Sequence, residues 1–186
     1  AADRLPGYGL ANVNVQYRIA NVTLTGTTVS LAGGVDASTD GGQSLTVQGN
    51  AVLGTVGDNY ALSSLTVNGA STLNGAVATT GGQTYDGAIT LGADIILSGD
   101  TLAFNGTIDG AHALTVEAGS SDVVIDHAVG GITRLGALTI NTAGETRLNA
   151  AVRAASLETD TAGTVVLANT VNTTGTQTYG ERVTLA

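Results

Sequence analysis

Side chains capable of chemistry are few in this chain of 186 residues. Two histidines, His112 and His127, lie 15 positions apart, and His127 stands beside Asp126 in the run VVIDHAVGG. A carboxylate next to an imidazole is the raw material of a proton-transfer pair. The pair lacks a reacting partner, because no Ser or Cys sits in a recognisable strained turn, and no catalytic residue is expected. Two further carboxylates, Asp36 and Asp109, share a Val/Ile-Asp-turn setting. Asp favours turns through hydrogen bonds from the local backbone to its own side chain, so both are expected to be structural. Calcium sites on repeat proteins need aspartates recurring at short fixed spacing. The segment GGVDASTDGG (33–42) does not recur, and neither a metal nor any other cofactor is expected. Asn21-Val-Thr, Asn105-Gly-Thr and Asn172-Thr-Thr match the N-glycosylation acceptor pattern, as chance allows in a chain rich in Asn and Thr.

Composition says what kind of scaffold must position these groups. The chain holds 27 Gly and 29 Thr, one Pro, no Met, Trp or Cys, and only 3% aromatic residues against 42% hydrophobic. That apolar content is ample for a core. The apolar residues are mainly Val, Ile, Leu and Ala beside Thr, which suits pleated, half-buried strands. With one Phe and five Tyr, a narrow interior fits better than a wide one. The net charge is −9, with six Arg and no Lys, so the basic clusters that nucleic acid or an anionic membrane require are missing. Without Cys there are no disulfides or thiolate metal sites. No apolar run approaches the length of a membrane span, and membrane insertion is not expected. No basic stretch followed by an apolar one opens the chain, and residue 1 is Ala, so it reads as an excerpt or a processed segment.

Apolar-Thr-apolar triplets recur along the chain, among them VTL (22–24), LTV (45–47 and 65–67), ITL (89–91), LTV (114–116), LTI (138–140) and VTL (183–185). In each, the outer residues share a face and the Thr points away, the mark of a half-buried strand. Gly-Gly, Asn-Gly and Asp-Gly pairs separate them, residues that supply positive φ in tight turns. No stretch sustains a helical period, and AAVRAASLE (150–158) is the one ambiguous piece.

Self-similarity decides the architecture. LTINTAGETRLNAAV (138–152) aligns without a gap on LETDTAGTVVLANTV (157–171), an offset of 19, and LTVNGASTLNGAV (65–77) fits the same frame after a two-residue deletion. A longer offset of 73 relates Thr25-Gly26 to Ser98-Gly99, Val35-Asp36 to Ile108-Asp109 and Leu65 to Leu138. The phrase TTGGQTYDGAITL (79–91) returns as TTGTQTYGERVTL (173–185), 94 residues later. It reads as one corner used twice, separated by a full repeat plus an inserted coil. A unit of 19 to 20 residues cannot bury its own apolar face, but stacked on its neighbours it can. The sequence therefore predicts an all-β solenoid of about eight to nine coils, roughly 40 Å long. Residues 22–186 form its continuous repeats, and 1–21 are an irregular or capping lead-in containing the alternating run NVNVQYRI.

The phrases GGQTYDGAITLGADIILSG, GGQSLTVQGNAVLG and LSSLTVNGASTLNGAV resemble the repeat regions of filamentous haemagglutinin-like, two-partner-secreted bacterial adhesins and related long surface proteins of β-strand repeats. The resemblance covers the chain from about Val22 onward and rests on repeat style. It implies a right-handed parallel β-helix acting as the shaft of an exported adhesin or extracellular fibre. Such a shaft would work at the bacterial surface, associated with the outer membrane, or in a biofilm matrix. Self-association end to end, or continuation into further repeats, is the expected partnership, with a host or matrix glycan or protein as receptor. The amino-terminal secretion domain of that family is not visible here. Two other uses of the fold stand as alternatives. One is a carbohydrate-active β-helix enzyme with clustered carboxylates; the other is an ice- or glycan-binding solenoid with ranked Thr, for which TLTGTT (23–28) and TTGTQT (173–178) are candidates, although TxT does not keep its register from coil to coil.

Overall fold

The computed structural model describes residues 21–186, and apart from Asn21 the expected lead-in over 1–21 lies outside the described residues. Every pairing between strands is parallel, and the described residues contain no helix. In chain order, β1 (Asn21–Leu31) and β2 (Ser44–Leu53) each run across two faces of a coil. The third coil is β3 (Ser64–Val67), β4 (Ser71–Leu73) and β5 (Val77–Ala78), and the fourth is β6 (Gln83–Tyr85), β7 (Ile89–Leu91) and β8 (Ile95–Ser98). The fifth holds β9 (Leu102–Phe104), β10 (Ile108–Asp109) and β11 (Leu114–Glu117). The sixth holds β12 (Val123–Ile125) and β13 (Leu135–Asn141), and the seventh β14 (Glu145–Leu148) and β15 (Val152–Thr159). The eighth is β16 (Thr164–Leu167), β17 (Val171–Thr173) and β18 (Gln177–Tyr179), and β19 (Arg182–Leu185) opens the ninth. This is the parallel β-solenoid that the repeats imply.

Three inward columns define its three faces. On the first, Leu24, Val47, Val67, Tyr85, Phe104, Ile125, Leu148, Leu167 and Leu185 lie in register from coil to coil. The second runs through Ala51, Ser71, Ile89, Ile108, Val129, Val152 and Val171. The third runs through Val35, Val56, Val77, Leu97, Val116, Ile140, Thr159 and Tyr179. Branched aliphatics fill so narrow a space without help, and the two large rings are neighbours in the first column: Tyr85 and Phe104, in successive coils, stack with centroids 6.2 Å apart. The gapless sequence alignment is a spatial one, since Leu138 pairs with Leu157, Leu148 with Leu167 and Val152 with Val171. Between paired strands, coil length varies from 18 residues, Leu65 to Gln83, to 24, Leu114 to Leu138.

One open reading is settled and one expectation needs correction. The ambiguous stretch 150–158 is not helical; most of it is β15, whose Val152, Ala154 and Leu157 point inward and are fully buried. Many Gly of the Asn-Gly and Asp-Gly pairs do not take positive φ. Gly110 of an Asp-Gly pair does, as do Gly34, Gly41 and Gly130 of the Gly-Gly pairs, but Gly69, Gly75, Gly87 and Gly106 do not. Gly87 is required for a different reason: a Cβ there would lie 2.5 Å from the Gly69 carbonyl carbon of the coil below. Stacked corners leave no room for a side chain at that level.

Side chains tie coils together along the axis. Arg134 donates from Nη1 to the carbonyl oxygens of Ala154 (2.9 Å) and Asn172 (2.6 Å), and from Nη2 to Asn172 Oδ1 (2.7 Å). One guanidinium thus joins the sixth coil to the seventh and eighth.

Candidate functional site

The repeated phrase builds the most organised polar cluster of the interior. Gln83 opens β6 with its side chain inward, in a row otherwise held by Leu65 and Leu102. A carboxamide in an aliphatic column must satisfy every polar atom it carries. Gln83 Nε2 donates to Ser98 O at 2.9 Å and Val77 O at 3.2 Å, the ends of two stacked third-face strands, while Gln83 Oε1 accepts from the Tyr85 hydroxyl at 2.9 Å. Thr79 Oγ1 donates to Gly81 O at 2.8 Å and closes the corner. Gln83 and Tyr85 are both 0% exposed, and burial pushes the Tyr85 phenol far above its ordinary range. The cluster fastens a corner, and neither Gln83 nor Tyr85 offers an atom to solvent.

The second copy repeats the wiring. Tyr179 donates to Gln177 Oε1 at 3.0 Å, Gln177 Nε2 to Val171 O at 3.3 Å, and Thr173 Oγ1 to Gly175 O at 3.0 Å. Its position differs. Gln83 and Tyr85 lie on the first face, but Gln177 and Tyr179 lie on the third, paired with Leu157 and Thr159. The 94-residue offset therefore ends one face short of a whole number of coils. The phrase specifies a kind of corner, and the solenoid uses it at two different corners. Gln177 is also exposed, because in the described residues no strand lies over β17 and β18.

The other candidate groups fall apart in space. His112 lies between β10 and β11, with Nδ1 3.6 Å from Asp94 Oδ1. His127 is exposed on a different corner of the next coil, and its neighbour Asp126 accepts instead from Asn149 Nδ2 at 2.7 Å. Asp36 and Asp109 hold the backbone of the following coil. Asp36 accepts from Asn59 N at 3.0 Å and Asn59 Nδ2 at 2.8 Å, and Asp109 Oδ1 from the N–H groups of Ile132 and Thr133 at 2.8 and 3.0 Å. The side-chain amide of Asn59, then its backbone N–H, holds the Asp36 carboxyl below the ordinary range. Asp40, the other carboxylate of 33–42, accepts from Ala61 N at 2.9 Å. Among the described residues no three His, Cys, Asp or Glu side chains gather as a metal site.

The three sequon asparagines are engaged. Asn21 accepts from Ser44, Asn105 donates to Asp86 Oδ1, and Asn172 accepts from Arg134. Asp86 also accepts from Asn68 Nδ2, so an amide-carboxylate-amide ladder climbs one corner. That ladder was missed in the sequence because its members sit 18 and 19 residues apart. Thr23, Thr46, Thr66 and Thr84 do stack as one outward column. The next outward position runs Thr25, Gln48, Asn68 and Asp86, so the column has no second Thr rank beside it.

Comparison with protein-family models, with curated proteins and with solved structures finds no match for this chain.

Proposed function

We propose that the chain is a length of shaft in an exported bacterial adhesin or extracellular fibre, holding cells to surfaces or to one another by extension and self-association. The observation that supports this most is the first face, whose ladder runs without a break from β1 to β19. Parallel stacking adds one strand spacing, about 4.8 Å, per coil, so every coil lengthens the rod and none thickens it. Each repeat touches only its neighbours, so length is added without redesigning a core. The aliphatic columns and axial hydrogen bonds give stiffness with no disulfide. The receptor class is a host or matrix glycan or protein, met outside the cell or at the outer membrane.

Antibodies raised against the folded chain test this directly. They should label intact cells that make it, or the surrounding matrix, and loss of the gene should reduce attachment or clumping. Labelling only after the cells are broken open would overturn the reading.

A further inference from the structure

Two loops of the solenoid are copies of one another that have taken opposite charge. Residues 57–62, GDNYAL, align at the 73-residue offset with residues 130–135, GGITRL. Their backbones are held alike. Each opens on a Gly with positive φ, whose N–H donates to the preceding coil at 2.7 Å, Gly57 to Val35 O and Gly130 to Ile108 O. Two residues on, the N–H of Asn59 donates to Asp36, and that of Ile132 to Asp109. Each loop closes on a buried leucine, Leu62 or Leu135.

What the loops display differs. The first holds out Tyr60, 48% exposed, among three exposed carboxylates. Asp58 lies two positions before it, and Asp36 and Asp40 accept from the N–H groups of its sequence neighbours Asn59 and Ala61. The second holds out Ile132, 89% exposed, beside two guanidiniums: Arg134, and Arg153, whose Nη1 donates to Gly131 O at 3.0 Å. Hydrogen bonds already fix both loops, so burying either apolar side chain against a partner sacrifices little loop freedom. The same segregation of charge extends along the rod. Residues 21–109 contain seven Asp and no Arg, and all four Arg of the described residues lie between 134 and 182.

Within one chain these loops cannot meet. The first turns the corner between the third and first faces in the second coil, and the other turns the corner between the second and third faces in the sixth. They stand nearly four coils apart along the axis, roughly 18 Å. We infer that they meet between two copies of this chain lying side by side and displaced along the axis by that distance. Ile132 of one copy then packs on the Tyr60 ring of the other, and Arg153 stands opposite Asp58. The proposal rests on the self-association reading above and assigns its contact. Each copy carries one loop of each kind. A contact between unlike surfaces that also advances along the axis does not close on itself, so shafts join as a staggered bundle.

A contact of this size is weak by itself, and sedimentation over a concentration series reads it. The chain should associate reversibly as its concentration rises. Asp58→Arg should weaken that association about tenfold, Arg153→Asp should do the same, and the two changes in one chain should restore it. The direction of the first effect separates docking from general repulsion. Asp58→Arg takes the net charge from −9 to −7, which by itself favours association. Ile132→Ser should also weaken association about tenfold, while its melting curve matches that of the parent because the side chain is exposed. A chain that stays monomeric at every concentration would overturn the contact. So would association that Asp58→Arg strengthens, that Ile132→Ser leaves unchanged, or that the double variant fails to recover. Surface labelling of intact cells does not depend on this contact, so the shaft reading fails or stands separately.

Discussion

The phenol of Tyr85 donates to the carboxamide oxygen of Gln83 at 2.9 Å, between two side chains that share one strand and are wholly shielded from water. Leucine at position 83 would match Leu65 and Leu102 in its row, but it would leave the Tyr85 hydroxyl without an acceptor. A buried polar group left unpaired costs more than the bond was worth. Gln83→Leu should lower stability by about 2 kcal/mol and Tyr85→Phe by about 1 kcal/mol. The double variant should lose about 1 kcal/mol less than their sum, because the orphaned hydroxyl goes with its partner. Chemical denaturation of the four proteins measures the cycle, and strict additivity would count against the network. Gln177→Leu, at an exposed copy of the same corner, should change stability by no more than about 0.5 kcal/mol.

The contrast between those two corners shows what the sequence could and could not disclose. Offsets between like residues located real contacts: Leu138 on Leu157 and Val152 on Val171 are neighbours in space. The offsets of 73 and 94 did not disclose the face. Leu65 belongs to the first face and Leu138 to the third, because coils vary from 18 to 24 residues and a residue count does not measure rotation. The variation comes from loops such as 57–63 and 130–134, pinned by Asp36 and Asp109, and no local pattern gives their length. Gln83 was equally hidden, since a Gln beside Thr reads as surface until the carbonyls of Val77 and Ser98 are seen above and below it.

The glycines of stacked corners should separate by cause. Gly87→Ala would drive a methyl carbon into the Gly69 backbone, which cannot yield without shifting a coil, and should cost more than about 2 kcal/mol. Gly33 has ordinary φ and nothing within 4 Å of an added Cβ. Gly33→Ala should be neutral or stabilising by up to about 1 kcal/mol, through the lower entropy of the unfolded chain. Thermal melts of both variants check the pair; equal effects would mean that the corner is softer than its contacts imply.

Arg134 makes three hydrogen bonds that reach two successive coils. Its planar fork is what allows that reach, so lysine is not a substitute. Arg134→Lys should destabilise by about 1 to 2 kcal/mol. The loss should appear as faster amide exchange in β17 while β3 is unaffected, because a solenoid transmits stability mainly between neighbours. Exchange that rises evenly along the chain would argue for a single cooperative unit instead.

Two carboxyls should give opposite responses to acid. Asp36 is held below its ordinary 3.8 by hydrogen bonds from Asn59. Its contribution is therefore complete above that value and fades as pH falls through the lower folded-state pKa. Glu181 is raised above its ordinary 4.5, first by burial and then by the nearby charge of Asp160, which a side-chain hydrogen bond with Thr159 offsets only in part. Folding penalises its ionised form, so the penalty is absent below the unfolded value and sets in as pH rises through the higher folded one. At neutral pH Asp36→Asn should lower the melting temperature and Glu181→Gln should raise it. Below about pH 3 both differences should shrink, since each wild-type carboxyl is then largely protonated, in the unfolded chain and increasingly in the folded one. A Glu181→Gln gain that persists unchanged in acid would place its origin in packing rather than in charge.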